Sequence, residues 1–175
     1  MKNLVLLTSF YVIMIVLSAC GGPQQAGPPL EIRPLEESKA FEIIEEILAE
    51  RHYTHQKGVD VQLRNGVAFK TDYRVRDHKI AIEYLSEQDV QSMGKIPPAA
   101  EGSRLHVLSA SVTTAPTSKS PEQVFVFFIH AKDFLYHFNP TPDRRADVTV
   151  LEVDSRLRRD LQDFLSWYET SFDQR

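Results

Sequence analysis

The sequence predicts an α+β domain with an N-terminal helix, a three-stranded antiparallel meander, further central strands and a long C-terminal amphipathic helix packed on the sheet. Three observations support this prediction. Apolar residues recur at helical spacing near both ends of the domain, alternating segments joined by turn signals lie between them, and a continuous apolar run surrounds residue 126. We therefore expect one mainly antiparallel sheet whose helices pack mostly on one side.

The first helix is predicted over residues 38–52, because apolar side chains recur at helical spacing behind Ser38, a residue type that caps helix N-termini. Three strands follow in meander order. They cover residues 59–63, 67–75 and 79–85. Asn65-Gly66 joins the first two, since this dipeptide favours a type I′ turn. In the second strand, Val67, Phe69, Thr71 and Tyr73 are expected to share one face.

A short helix is predicted over residues 86–93, where Ser86 and Asp89 have the spacing of a capping box. Residues 105–112 favour another strand. The run 124–129 is rich in β-branched and aromatic residues, which favours a central strand buried on both faces.

The last helix is predicted over residues 152–173, along which one apolar stripe runs. Its members are Val153, Leu157, Leu161, Phe164, Leu165, Tyr168 and Phe172. The charges on its polar face are mixed in sign, which favours packing on the sheet over binding to a membrane surface.

The composition limits the classes of partner and chemistry. A chain of 175 residues suits one globular domain, and a net charge of -4 offers no overall basic character for nucleic acid, so no nucleic-acid partner is expected. The single cysteine, Cys20, permits neither an intrachain disulfide nor a cysteine-based metal cluster.

The N-terminus has the pattern of an export signal. Lys2 precedes an apolar run from Leu4 to Leu17 that is too short to span a bilayer comfortably, and small residues follow it. The segment Leu17-Ser18-Ala19-Cys20 resembles the lipobox of bacterial lipoproteins. A plain secretory signal and an uncleaved anchor are the alternatives to a lipoprotein signal.

The lipobox resemblance implies that residues 1–19 are removed, that Cys20 receives diacylglycerol on its sulfur, and that its new amino group is acylated. Residues 20–35 then form the lipidated cysteine and a flexible linker rich in glycine and proline, and residues 36–175 form one globular domain. In that family an aspartate after the cysteine often retains the protein in the inner membrane. Gly21 at this position implies the outer membrane, with the domain facing the periplasm. The expected partners are the membrane, through the lipid on Cys20, and an envelope protein.

Two strand carboxylates are the candidate catalytic residues. The element order resembles the core of restriction-endonuclease-like nucleases, and that resemblance implies an acid on the second strand and an acid-x-lysine on the third. Asp72 and Glu83 provide the acids, but Leu85 stands where the lysine is required. Both acids alternate with the inferred core residues, so we interpret them as facing solvent. The alternative is a metal-dependent hydrolase, or a degenerate nuclease-like domain, that uses Asp72 and Glu83.

Histidines offer a weaker candidate for a metal site. His130, Asp133 and His137 would share one face of a helix and could bind zinc, but His130 ends a strand-like run, so these side chains are not expected to converge. The chain contains no Gly-x-Ser-x-Gly motif and no glycine-rich phosphate loop. The sequence therefore favours a membrane-tethered, non-enzymatic binding or accessory domain of the bacterial cell envelope, without a cofactor.

Overall fold

The computed structural model describes residues 30–101, 103, 105–113, 121–138 and 148–172. The predicted signal, Cys20 and most of the predicted linker lie outside these residues. The helices are α1 (Glu37–Glu50), α2 (Glu87–Met93) and α3 (Val150–Phe172). The strands are β1 (Glu31–Pro34), β2 (His55–Leu63), β3 (Ala68–Val75), β4 (Ile80–Leu85), β5 (His106–Val112), β6 (Gln123–His130) and β7 (Leu135–Phe138).

Five of the strands close into a barrel in the order β2-β3-β4-β6-β5. The pair β4–β6 is parallel and the other pairs are antiparallel. The predicted α+β class and the meander are confirmed, whereas closure of the sheet was not predicted. The barrel closes where β2 pairs with β5, with Val61 opposite Val112.

Strand β6 separates two apolar cores. Val126 and Phe128 belong to the cluster inside the barrel, and Phe127 and Ile129 belong to the cluster between the barrel and the helices. The predicted burial of this run on both faces is confirmed. Because each strand exposes alternate side chains to opposite faces, a continuous apolar run fills both cores.

Helices α1 and α3 cover the outer face of β3, β4 and β6. The apolar stripe of α3 is buried as predicted from Val153 to Tyr168, and the ring of Phe164 stacks on that of Phe127 at a centroid distance of 4.7 Å. The prediction is wrong for Phe172, which is 52% exposed. Phe172 is the last helical residue, and it contacts Phe125 at the margin of the helix layer.

Two local signals at helix ends have different outcomes. The capping box is confirmed, since Ser86 Oγ accepts from the backbone N–H of Asp89 and the Asp89 carboxylate accepts from that of Ser86. Met93, at the end of α2, packs against the barrel cluster. By contrast, α1 begins at Glu37, so Ser38 lies inside the helix rather than at its cap.

Strand β2 changes the face that it presents at Gly58, which has a φ of +71°. Lys57 lies over the ring of Tyr73, outside the barrel, whereas Val59 packs against the barrel cluster. The neighbouring strand β3 changes face as well, with Phe69 inside the barrel and Tyr73 under the helices. The prediction that Phe69 and Tyr73 share a face is therefore wrong, because both strands bend where the barrel closes.

Strands β1 and β7 form a separate two-stranded ribbon. Glu31 pairs with Phe138 and Pro34 with Leu135, and the backbone N–H of Leu35 donates to the carbonyl of Phe134 over 2.9 Å. Residues 31–35 of the expected linker thus belong to the folded part of the chain. Within the described residues, each helix is too short or too polar to cross a bilayer.

Candidate functional site

The structure brings Asp72 and Glu83 together across β3 and β4. The backbone N–H of Asp72 donates to Glu83 Oε2 over 2.9 Å, and that of Tyr84 donates to Asp72 Oδ2 over 2.7 Å. The regular pairing of these strands ends one residue earlier, at Tyr73 and Ile82. The two carboxyl groups therefore accept from backbone N–H groups at the point where β3 and β4 separate.

Glu83 does not face solvent, contrary to the prediction, since it is only 3% exposed. Its neighbours on the same face of β4 are Ala81 and Leu85, both in the barrel cluster, and its partner in the parallel register of β6 is Phe128. Alternation correctly placed Glu83 opposite Ile82 and Tyr84, but the barrel gives that second face a core of its own. Asp72 is half-buried.

Burial decides the protonation of both acids. Loss of hydration and, second to it, the negative charge of Asp72 raise the pKa of Glu83 to about 9, against the opposing effect of the hydrogen bond from the Asp72 backbone. Loss of hydration also raises the pKa of Asp72 to about 6, against the hydrogen bond from Tyr84. At neutral pH the pair therefore carries one proton, on Glu83, and one negative charge, on Asp72.

This arrangement suits a structural role better than a catalytic one. Burial and the charge of Asp72 favour the protonated form of Glu83 at neutral pH, so a metal ion would have to displace that proton to bind there. Among the described residues, no group of three or more His, Cys, Asp or Glu side chains is placed to hold a metal ion. Asp72 borders a shallow cleft of about 210 Å³ that Lys57 and Lys70 also line. Through their hydrogen bonds to backbone N–H groups, Asp72 and Glu83 link strands β3 and β4.

The histidine set proposed for zinc does not converge. His130 Nε2 lies 2.7 Å from His106 Nδ1, and His106 Nε2 lies 2.8 Å from the carbonyl oxygen of Pro97. His106 therefore donates to Pro97 and accepts from His130. Burial lowers the pKa of both imidazoles, which favours this neutral pair. His137 is occupied elsewhere, since its Nδ1 accepts from the backbone of Val148 over 3.1 Å.

Sequence analysis missed the buried cation Arg74. Its guanidinium donates to the carbonyl oxygens of Val75, His78 and Ile80 and forms an ion pair with Glu122. An arginine between apolar strand residues gave no signal of burial. The carbonyl groups it contacts belong to the neighbouring turn, but the acid that pairs with it, Glu122, is 48 residues away in the chain. Arg74 thus ties the end of β3 to the segment before β6.

Comparisons with protein-family models, curated proteins and solved structures found no match for this chain. Cys20 lies outside the described residues, so its lipidation stays a prediction from the sequence.

Proposed function

We propose that this chain is a lipid-anchored protein of the bacterial cell envelope whose barrel domain binds a partner there. The observation that carries the proposal is the segment Leu17-Ser18-Ala19-Cys20 directly behind a short apolar run. The first described strand begins at Glu31, and ten residues of the sequence lie between it and Cys20. A lipidated Cys20 followed by Gly21 favours the outer membrane and the periplasm.

The contacts of Asp72 and Glu83 favour a structural role for these two acids. Both carboxyl groups are engaged by backbone N–H groups, and Glu83 is buried and protonated. Nucleic acid is not an expected partner of this acidic chain. The outer face of β3 and β4 is packed under α1 and α3, so a partner requires another surface.

The anchor is tested by fractionating cells that produce the wild-type chain or Cys20→Ala. We expect the wild type in the membrane fraction and the variant in a soluble or uncleaved form, because multiple acyl chains make attachment effectively permanent. Ser18→Thr serves as a control, since it changes the signal and keeps the cysteine. Equal distribution of wild type and Cys20→Ala, with the same mature mass for both chains, would refute the anchor.

The binding role is tested by cross-linking in living cells. Recovery of one envelope protein in a constant ratio to this chain would support an accessory or binding role.

The alternative hydrolase is tested by titrating three purified proteins with Mg²⁺ or Mn²⁺. They are the wild type, the variant Asp72→Asn, and the variant Asp77→Asn, which changes an exposed acid and serves as the control. Metal binding that Asp72→Asn abolishes and Asp77→Asn preserves would favour the hydrolase.

A further inference from the structure

His106 and His130 share a hydrogen bond at one end of the barrel, and we call them the histidine pair. His106 Nδ1 lies 2.7 Å from His130 Nε2, and the two ring planes are parallel within 1°. Because this separation is shorter than the contact distance of stacked ring faces, the rings meet edge to edge, with one N–H between them. Both imidazoles are half-buried, so this hydrogen bond is partly shielded from water.

The histidine pair lies on the faces of β5 and β6 that line the barrel. Along β6, His130 continues the alternation of Val126 and Phe128, which belong to the barrel cluster. His106 lies opposite Phe128 in the register of β5 and β6, and the centroids of these two rings are 5.1 Å apart. The pair therefore lies at the end of the barrel core, beside Phe128.

The pair also fixes the segment 94–101, which follows α2 and forms neither helix nor strand. His106 Nε2 donates to the carbonyl of Pro97 over 2.8 Å, and Asn65 Nδ2 donates to the carbonyl of Lys95 over 3.0 Å. Within the described part of the chain, these two hydrogen bonds join the segment to the barrel strands and their turns. The position of the segment thus depends on the protonation of the histidine pair.

The hydrogen bonds allow the pair one added proton but not two. The carbonyl of Pro97 can only accept, so neutral His106 carries its N–H on Nε2, and its Nδ1 accepts from His130. A first added proton, on His130 Nδ1, leaves both hydrogen bonds in place. A second, on His106 Nδ1, sets two N–H groups and two positive charges against each other, so the rings must separate.

Separation of the rings displaces the segment. Nδ1 and Nε2 lie on opposite sides of an imidazole, so His106 is placed between His130 and Pro97. His106 cannot draw back from His130 without moving toward the carbonyl of Pro97, which is already at hydrogen-bonding distance. The charged pair therefore pushes the segment away from the barrel.

The surroundings of the pair favour its neutral form at pH 7. Loss of hydration lowers the pKa of both imidazoles; Lys132, in the turn after β6, lowers it further, and Asp133 in the same turn opposes the shift. Strand β4 contributes Glu83, which is protonated at neutral pH, and the segment contributes Lys95 and Glu101. The pair therefore takes up protons only below the ordinary titration range of histidine.

We propose that the histidine pair is a pH-sensitive switch, which holds the segment 94–101 on the end of the barrel and releases it when both imidazoles are protonated. Ile96 packs against the barrel cluster in the closed form, and release exposes it. This inference goes beyond the proposed function and does not depend on the lipid anchor.

The test is an NMR titration of the full chain in non-ionic detergent, with ¹³C in the isoleucine δ1 methyl groups and a neutral, water-soluble gadolinium chelate that relaxes exposed methyls. We expect the relaxation of Ile96 to increase from pH 7.5 to pH 5. Because the open form binds one more proton, its population rises by up to about tenfold for each pH unit. The methyl of Ile47, which is 1% exposed under the helices, should stay shielded throughout.

Two variants assign the pH response to the pair. His130→Gln keeps an N–H donor for His106 Nδ1 but cannot be protonated, so we expect Ile96 to stay shielded at pH 5. His52→Gln is the matched control, because His52 is an exposed histidine that follows α1, and this variant should behave like the wild type.

The switch is refuted if Ile96 is equally shielded at pH 7.5 and pH 5, or if His130→Gln responds to pH as the wild type does. Exposure of Ile96 and Ile47 together would mean that the whole domain unfolds, which also refutes a local switch. If His130→Gln exposes Ile96 at every pH, the ¹⁵N spectra of the wild-type histidines decide. Doubly charged imidazoles at positions 106 and 130 with Ile96 still shielded refute the switch, and exposure that accompanies the second proton supports it.

Discussion

Glu83 is a carboxylic acid enclosed by apolar side chains of the barrel. Ala81, Leu85 and Phe128 surround its face of the sheet, and the backbone N–H of Asp72 provides one hydrogen bond. One hydrogen bond cannot replace the hydration of a full negative charge, so the neutral acid is the stable form in the fold. The charge of the pair resides on Asp72, which is nearer to solvent.

This protonation predicts how stability depends on pH. The pKa of Glu83 rises from 4.5 to about 9 in the fold, so between these values the folded state binds a proton that the unfolded state lacks. The free energy of unfolding therefore falls as pH rises through this window. Glu83→Gln removes this cost, so we expect it to raise the unfolding free energy at pH 7 by up to about 3 kcal/mol and to have little effect near pH 4.5.

Urea denaturation from pH 4.5 to 8 measures this effect. Glu87→Gln is the control, because Glu87 is an exposed acid on α2. The account of Glu83 fails if Glu83→Gln destabilises the protein equally at all pH values, or if both variants behave alike.

For a single strand residue such as Glu83, the sequence predicts the face of the strand on which the side chain lies, but not whether that face is buried. Alternation correctly separated Glu83 from Ile82 and Tyr84, because it depends only on strand geometry. It could not reveal that the second face of β4 is also a core, since that depends on β6 and β5 closing the barrel. The hydrogen bond from the Asp72 backbone to Glu83 lies between the neighbouring strands β3 and β4, whose pairing was predicted, but alternation does not predict a side chain that accepts from a strand backbone.

At the scale of the element, the bend of β2 at Gly58 accompanies the change of face in its partner β3, which contributes Phe69 to the barrel core and Tyr73 to the core under the helices. A positive φ costs glycine nothing, whereas a residue with a Cβ is strained there. A Cβ at Gly58 would also collide with the side chain of Lys70 on the neighbouring strand. The bend thus depends on the absence of a side chain.

We expect Gly58→Ala to reduce the free energy of unfolding by about 1–2 kcal/mol, because it combines backbone strain with displacement of Lys70. Gly66→Ala is the matched control. Gly66 also has a positive φ, but a Cβ added there would meet nothing within 4 Å, so only the backbone strain applies. Thermal and urea denaturation of both variants give the comparison, and a larger loss for Gly66→Ala would contradict this view of the bend.

Short-range sequence signals predicted most helices and strands, but they did not predict that the sheet closes into a barrel. The Ser86–Asp89 capping box depends on neighbours in the chain and is present in the structure. A turn also occurs at Asn65-Gly66, but the predicted type I′ geometry is wrong, because only Gly66 has a positive φ and its N–H donates to the carbonyl of Leu63. Closure depends on pairing between β2 and β5, which are separated by more than forty residues. The sequence shows a glycine at position 58, but it does not show that β2, which bends there, pairs with β5.

At the scale of the whole molecule, two cores share the strands β4 and β6. One core fills the barrel, and the other lies between its outer face and the helices α1 and α3. Arg51 adds a polar link between the two helices, since its guanidinium contacts the Glu169 carboxylate at 2.8 Å. The helix layer is therefore part of the folded domain rather than an attachment to it.

Two phenylalanines of α3 test this helix layer. Phe164 is fully buried and stacks on Phe127, so we expect Phe164→Ala to cost about 3–5 kcal/mol. Phe172 is half exposed at the end of the same helix, so Phe172→Ala should cost less than about 1 kcal/mol. Equal losses in urea denaturation would contradict the packing of α3 on the barrel.

The central claim is that this domain is tied to a membrane by lipid on Cys20, and the mass of the mature chain tests it most directly. Intact-protein and N-terminal peptide mass spectrometry of the chain purified from its membrane should show a polypeptide that begins at Cys20 and carries a diacylglyceryl group and an amide-linked acyl chain. A mature chain that begins elsewhere, or one whose Cys20 thiol is unmodified, would contradict the claim.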